Sequence, residues 1–400
     1  MTGNKSLIFC FEDFYPSNIP YNHILKDIIE ECCRRGEYSV EVITSFKPDP
    51  KEQSQMLNFF EANNIESAQF KSMNKFKSIF FSMRVFFYLL RHGKGTVIVP
   101  SSPPVIMGFS VFLAKYLGGS RFNYIYHCQD IHPEALVISN HIKNTLLVNI
   151  MKYMDNFTLS YAKNIIVLSE DMQITLEKRK NKPLNNLSII NNFIPSAYSS
   201  SLSLQSESKT IRSNHKKDDI IFVFAGNTGA FQNLEMLLEG FLNLDLNEHC
   251  HLYFVGEGKV KNILIQQSLN HSSKMKVNVH FLDKMDSQDI THFISEADYG
   301  IVSISDELLD VAYPSKIATY LSLGLPLLLC GGVLSKIEDE VNNESLGVSI
   351  SGKNVDTIKK GFEDAIQRCD FFKSRHADIK NYYNLSYDRK KIISNIIETF

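Results

Sequence analysis

Short apolar runs alternate with longer stretches of mixed apolar and polar residues along almost the whole chain. Residues 7–11, 39–44, 96–100, 124–126, 164–168 and 187–190 are strand-like, and the stretches at 23–35, 105–117 and 169–180 carry helical spacing. The pattern breaks at 196–217, which is Ser-rich, charged and poor in apolar residues, and so reads as a linker or loop. It then resumes. Residues 219–225, 251–255, 277–281, 298–303 and 326–329 are strand-like, with helical stretches near 234–242, 260–269 and 287–296. Alternation of this kind predicts parallel sheets with helices on both faces. The expected fold is therefore α/β with two Rossmann-like βα domains, one over 1–195 and one over 218–385, joined by 196–217. The last stretch places Ile392, Ile393, Ile396 and Ile397 on one helical face, so 386–400 is expected to return to the first domain.

Composition narrows the function. The 400 residues are 44% hydrophobic and 22% charged, as in an ordinary soluble globular protein of two or three domains. A net charge of -2 gives no electrostatic footprint for nucleic acid. The seven cysteines are scattered and form no C-x-x-C pair, which argues against a disulfide framework or a zinc site and for a reducing compartment. No signal peptide is expected, since only a short apolar run follows the first residues. Residues 78–90 come closest to a membrane span, but Arg84 interrupts them.

The most informative segment runs from Tyr313 to Pro326. Pro314 suits the opening of a helix, Gly324 the residue just past its end, and Pro326 blocks continuation. Lys316 would add a full positive charge at an end that already attracts phosphate. Alone, the segment is equally a surface helix with a solvated lysine. Two glycine turns add weight. Gly226-Asn227-Thr228-Gly229 follows the first strand of the second domain, and Gly256-Glu257-Gly258 follows the next. Neither is G-x-G-x-x-G, and no acidic residue completes a dinucleotide fingerprint. Three such loops at the carboxyl ends of strands outline a site for a phosphate-bearing ligand.

In the first domain, Tyr126-His127-Cys128-Gln129-Asp130-Ile131-His132-Pro133-Glu134 gathers polar side chains at a strand end. His127, Asp130, His132 and Glu134 are close enough in sequence to suggest metal ligands. The alternative is a turn capped by Asp130 and fixed by Pro133.

Taken together, the Phe224-to-Gly229 turn, Gln232-Asn233-Leu234-Glu235, Val255-to-Gly258, Ala297-Asp298 and Pro314-Ser315-Lys316 resemble GT-B glycosyltransferases of the retaining family 4 type. The first-domain signature, Ser101-to-Pro104, the Phe14-Tyr15-Pro16 loop and Ile190-to-Phe193 resemble the branch that builds capsule, O-antigen or other lipopolysaccharide and exopolysaccharide. The likeness extends over essentially the whole chain. It departs at Thr319 and Val311, where that family usually carries glutamates.

The resemblance implies a retaining, hexosyltransferase-type enzyme that moves a sugar from a nucleotide donor, a UDP-sugar by expectation, to a polyprenyl-linked glycan. It implies no cofactor and no protein-bound metal, the nucleotide sugar being a substrate. Donor binding falls to Gly226, Asn227, Thr228, Gly229, Gly256, Gly258, Ser315, Lys316 and Thr319. Asp130, His132 and Lys316 are the expected catalytic residues, and Tyr15, His127 and Glu134 lie on the acceptor side. Residues 71–94 interleave Lys71, Lys75, Lys77, Arg84, Arg91 and Lys94 with Phe76, Phe80, Phe81, Phe86, Phe87 and Tyr88. Such a helix suits the inner face of a cytoplasmic membrane, or else a core helix with basic residues at its ends. The expected location is cytoplasmic and peripheral to that membrane. A nucleotide-sugar epimerase or a silent scaffold that binds donor or lipid are the competing functions.

Overall fold

The computed structural model describes every residue except 1–4, 18, 72–75, 200–210, 230, 246–248, 272–276, 286, 332–333 and 353. The chain divides into two compact units. One comprises Met1–Ser196, Val311–Tyr313 and Arg389–Phe400; the other comprises Ala197–Asp310 and Pro314–Asp388.

The first unit is built on a seven-stranded sheet of order β3-β2-β1-β4-β5-β6-β7. Its strands are β1 (Lys5–Cys10), β2 (Tyr38–Ser45), β3 (Glu66–Phe70), β4 (Gly95–Pro100), β5 (Phe122–His127), β6 (Asn164–Val167) and β7 (Leu187–Ile189). The second unit holds a six-stranded sheet of order β10-β9-β8-β11-β12-β13. These strands are β8 (Ile220–Ala225), β9 (Cys250–Val255), β10 (Val277–Leu282), β11 (Tyr299–Ser303), β12 (Leu327–Cys330) and β13 (Gly347–Ile350). Every strand pair in both sheets is parallel. The expected architecture of two parallel α/β sheets is thus what the chain adopts. Covered on both faces by helices, the central strands are largely apolar, and all of β9 is buried.

Local chemistry sets the helix ends. Ser169 accepts the Met172 N–H at 3.2 Å and opens helix Glu170–Lys180. Glu170 and Asp171 occupy its first turn and Lys178, Arg179 and Lys180 its last, each complementing the helix dipole. The C-terminal helix Arg389–Glu398 buries Ile392, Ile393, Ile396 and Ile397 in the first unit. Of the stretch 196–217, residues 200–210 lie outside the described residues. From Ile211 the chain is folded onto the second unit, where Arg212 donates to the buried Asp298 carboxylate at 2.5 Å. Asp298 also accepts the Ile221 N–H at 2.7 Å, which gives the Ala297-Asp298 pair a role in joining β11 to β8.

Helix Lys77–His92 carries two apolar stripes. Phe81, Val85 and Leu89 are buried, while Ile79, Phe80, Met83 and Phe87 are exposed. Of the two adjacent aromatics in the expected membrane-or-core helix, Phe81 belongs to the core and Phe80 is exposed. Arg84 lies over the Phe70 ring and donates to the Lys71 carbonyl at 2.7 Å. Lys75 lies outside the described residues. No described helix is long and apolar enough to cross a membrane. All seven cysteines are free.

Candidate functional site

The second sheet reverses its strand order between β8 and β11, so a crevice opens beyond their carboxyl ends. β8 ends at Ala225, and Gly226 follows with φ of +130°. Gly256 follows β9 with φ of +137°. A Cβ on Gly256 would stand 2.2 Å from the Gly226 carbonyl oxygen, so only glycine allows the two loops to touch backbone to backbone. The Gly226 N–H donates to Val255 O at 2.9 Å and the Thr228 N–H to Glu257 O at 2.9 Å. A Cβ on Gly258 would meet the Thr228 carbonyl at 2.3 Å. Gly256 and Gly258 are therefore accounted for by loop packing. Gly226 and Asn227 are exposed and Gly229 is half-buried. Thr228 is buried, and its hydroxyl has no hydrogen-bond partner among the described residues.

Lys316 opens helix Lys316–Ser322, two residues later than the proline-first reading expects. The reason is a tight first turn, in which the Pro314 carbonyl accepts the Ile317 N–H at 3.1 Å. Gly324, at φ of +75°, ends the helix, with the Leu325 N–H returned to Tyr320 O at 3.0 Å. The Tyr320 hydroxyl accepts the Ala225 N–H at 3.0 Å, tying the helix to the last residue of β8. The Lys316 ammonium stands 3.5 Å from the centre of the Phe224 ring. Its side chain passes over the glycine turn, where a Cβ on Gly226 would lie 2.9 Å from Lys316 Cε. No carboxylate pairs with it among the described residues. Burial of the amine lowers its pKa to about 7. Ser315 is exposed and Thr319 half-buried, with the Thr319 carbonyl accepting from the Ser322 hydroxyl at 2.7 Å.

In the first unit, His127 ends β5 and is buried. The Gln129 amide donates to its Nε2 at 2.9 Å, so its Nδ1–H donates to the Tyr21 hydroxyl at 2.9 Å. Burial pulls its pKa to about 4, which leaves the ring neutral. Asp130 is exposed. Its N–H and that of Gln129 both donate to Ser101 Oγ, at 3.3 and 3.1 Å, and the next N–H, of Ile131, reaches Val311 O at 2.8 Å. His132 is buried, and its Nδ1 has no partner among the described residues. Burial brings its pKa to about 4 as well, against the pull of Glu134.

Glu134 is committed to internal ion pairs, with Arg179 at 3.0 Å and Lys152 at 3.4 Å. Arg179 also pairs with the buried Asp155 and donates to His132 O at 2.9 Å. Tyr15 is half-buried, with Lys26 Nζ 5.5 Å from its ring centre. A cavity of about 380 Å³ lies beyond the ends of β1, β2 and β4, lined in part by Phe11, Asp13, Tyr21, Lys47, Lys77 and Ser102. Asp130 and His132 thus share one turn, whereas His127 and Glu134 serve the interior. Sequence reading missed Arg179, Asp155, Ser101, Phe224 and the Tyr320 hydroxyl. Ser101, Phe224 and Tyr320 stand in or beside quoted motifs, but the role of each, like those of Arg179 and Asp155, comes from a partner distant in sequence.

No family model matches this chain. It is 21% identical, over 269 residues, to the probable glycosyltransferase WbjE of Pseudomonas aeruginosa. That match covers 66% of the chain and 64% of the relative. Among solved structures it resembles HepE of Anabaena in complex with UDP and glucose, with a TM-score of 0.66, 13% identity and 99% of each chain covered. It also resembles the lipopolysaccharide outer core galactosyltransferase WaaB in its apo form, with a TM-score of 0.64, 13% identity and 99% of each chain covered. The fold of the chain is GT-B.

Proposed function

We propose that this chain is a retaining glycosyltransferase of the family 4 type, transferring a hexose from a UDP-sugar to a lipid-linked glycan in surface-polysaccharide synthesis. One observation carries the reading. The Lys316 ammonium is held over the Gly226 turn at the carboxyl edge of the sheet, with no described carboxylate to neutralise it. A partly buried cation beside exposed backbone suits a diphosphate. The names of the similar proteins, a probable glycosyltransferase, a structure holding UDP and glucose, and a galactosyltransferase, support the same chemistry.

In this reading Gly226, Asn227 and Gly229 offer backbone to the donor, with Ser315, Lys316 and Thr319 beside them. Gly256 and Gly258 shape the turn, and Thr228 braces it from beneath. Lys316 stabilises charge developing on the departing diphosphate. That diphosphate takes the proton of the acceptor hydroxyl, so the reaction needs neither a strong protein base nor a metal. Asp130 and His132 contact a sugar of the acceptor, which is received by the first unit near Tyr15. The exposed stripe of Ile79, Phe80, Met83 and Phe87, flanked by Lys77 and Arg91, suits the surface of an anionic membrane. The protein would then work in the cytoplasm against the inner membrane face.

The test is a screen of nucleotide sugars by thermal shift, followed by an assay for free UDP in the presence of membrane lipid extract. Binding with UDP release only when the lipid acceptor is added supports transfer. Binding without turnover in any extract makes the chain a scaffold, and interconversion of the sugar without an acceptor makes it an epimerase.

A further inference from the structure

Three histidines and an aspartate meet on the second sheet, away from the glycine turns. His251 stands on β9 and His280 on β10, the edge strand, while His215 and Asp219 precede β8. One nitrogen from each of the three imidazoles lies within 4.8 Å of the others. His251 is buried and its two companions are half-buried. We propose that His215, His251 and His280 bind a divalent cation of the zinc type, with Asp219 orienting His251.

The hydrogen bonds already sort the nitrogens. His251 Nε2–H donates to Asp219 Oδ2 at 3.2 Å, which fixes that tautomer and makes Nδ1 an acceptor, here of His280 Nε2–H. A carboxylate behind a ligating imidazole is the usual support of a metal site. His280 Nε2 lies 3.2 Å from His251 Nδ1. Two nitrogens bound to one tetrahedral zinc at about 2.0–2.1 Å stand roughly 3.3 Å apart, so these two need little movement. To ligate, His280 moves its proton from Nε2 to Nδ1, a tautomer change without change of charge. His215 Nε2 meets the Tyr253 hydroxyl at 2.7 Å, which leaves Nδ1, 3.8 Å from Asp219 Oδ2, for the ion. Water completes the shell.

An all-imidazole set selects zinc, cobalt, nickel or copper over magnesium or calcium. Cysteine spacing had spoken against zinc, but these ligands are histidines scattered over the sequence. His251 precedes Gly256 by five positions, roughly 16 Å along a strand, so the ion would sit apart from the glycine turns. Its effect would be to staple the edge strand β10 to β9 and to the segment entering β8.

The experiment is calorimetric titration of the full chain with zinc chloride after chelator treatment, for the native chain and for His215→Ala, His280→Ala and Asp219→Asn. One zinc per native chain is expected, bound more than about 100-fold weaker by either histidine variant and about 10–100-fold weaker by Asp219→Asn. Zinc should raise Tm in the native chain only, with nucleotide affinity unchanged. Native protein that takes up no zinc at sub-millimolar concentration overturns the proposal. So does equal affinity in the variants, the outcome if cysteines hold the metal. Should a variant fail to fold, paramagnetic resonance of the native copper(II) form counts the coordinated nitrogens: three imidazoles support the site and fewer than three refute it.

Discussion

If Lys316, with a pKa near 7, meets a diphosphate as proposed, nucleotide binding depends on pH in a calculable way. In the free protein Lys316 is about half charged at pH 7. If only the ammonium form binds, apparent affinity is scaled by the protonated fraction. That fraction is about 0.9 at pH 6, about 0.5 at pH 7, about 0.1 at pH 8 and about 0.01 at pH 9, so each further unit costs about 1.4 kcal/mol. The sign follows from the lowered pKa: the charged form is present below 7 and lost above it. The donor analogue should be a UDP-sugar, whose diphosphate is a diester with no proton to lose in this range. Calorimetry in buffers of different ionisation enthalpy should register close to one proton taken up per nucleotide at pH 8. Lys316→Arg, always charged, should flatten the profile, and Lys316→Ala should bind at least about tenfold more weakly at pH 6 and also be flat. A native affinity constant from pH 6 to 9, without proton uptake, would refute the assignment of Lys316 to the diphosphate.

Other perturbations test the supporting structure. Gly256→Ala drives a Cβ into the Gly226 carbonyl at 2.2 Å and should cost about 1–3 kcal/mol in denaturant unfolding while abolishing nucleotide-induced stabilisation. Arg179→Ala leaves the buried Asp155 carboxylate without its cation and should destabilise the first unit by about 3–5 kcal/mol, read as a fall in Tm. Phe80→Ser combined with Phe87→Ser removes exposed aromatics and should release the protein from anionic liposomes in sedimentation. Phe81→Ser, by contrast, removes a buried ring and should lower Tm first.

What the sequence made legible was whatever acts locally. The central strands read as apolar runs because both their faces are covered, and the glycine turns read as sites because backbone contact demands glycine. β3 escaped because Glu66–Phe70 is an edge strand with no fully buried residue, so burial left no periodic signature on it. Helix Lys77–His92 was legible as a helix but not in its facing, since aromatics occupy both the inward and the outward stripe. Arg179 sits in the basic run Lys178-Arg179-Lys180, which reads as solvated. Its ties to Asp155 and Glu134 exist only once the turn after β5, helix Thr145–Tyr161 and helix Glu170–Lys180 have come together. The histidine cluster was invisible for the same reason: its members are assembled by strand register, with Ile221 and Asn278 paired to His251 and His280 paired to Tyr253.

The lowered pKa of His132 constrains its part in the proposed transfer. With burial holding its pKa to about 4, the imidazole is neutral throughout the range where the enzyme would work, and it has no proton to give as a cation. Only the neutral ring, through its unpartnered Nδ1, can contact a sugar hydroxyl. That role fits a reaction in which the leaving diphosphate, not a side chain, receives the acceptor proton. Two consequences separate His132 from Lys316. The profile of kcat/KM should be flat from about pH 5 to 6.5, with no limb at the usual histidine pKa, and should fall above 7 as Lys316 discharges. His132→Gln, which keeps a neutral hydrogen-bonding group, should retain more activity than His132→Ala. An acidic limb near pH 6.5 that disappears in His132→Gln would show instead that the histidine titrates in the reaction and serves as its general base.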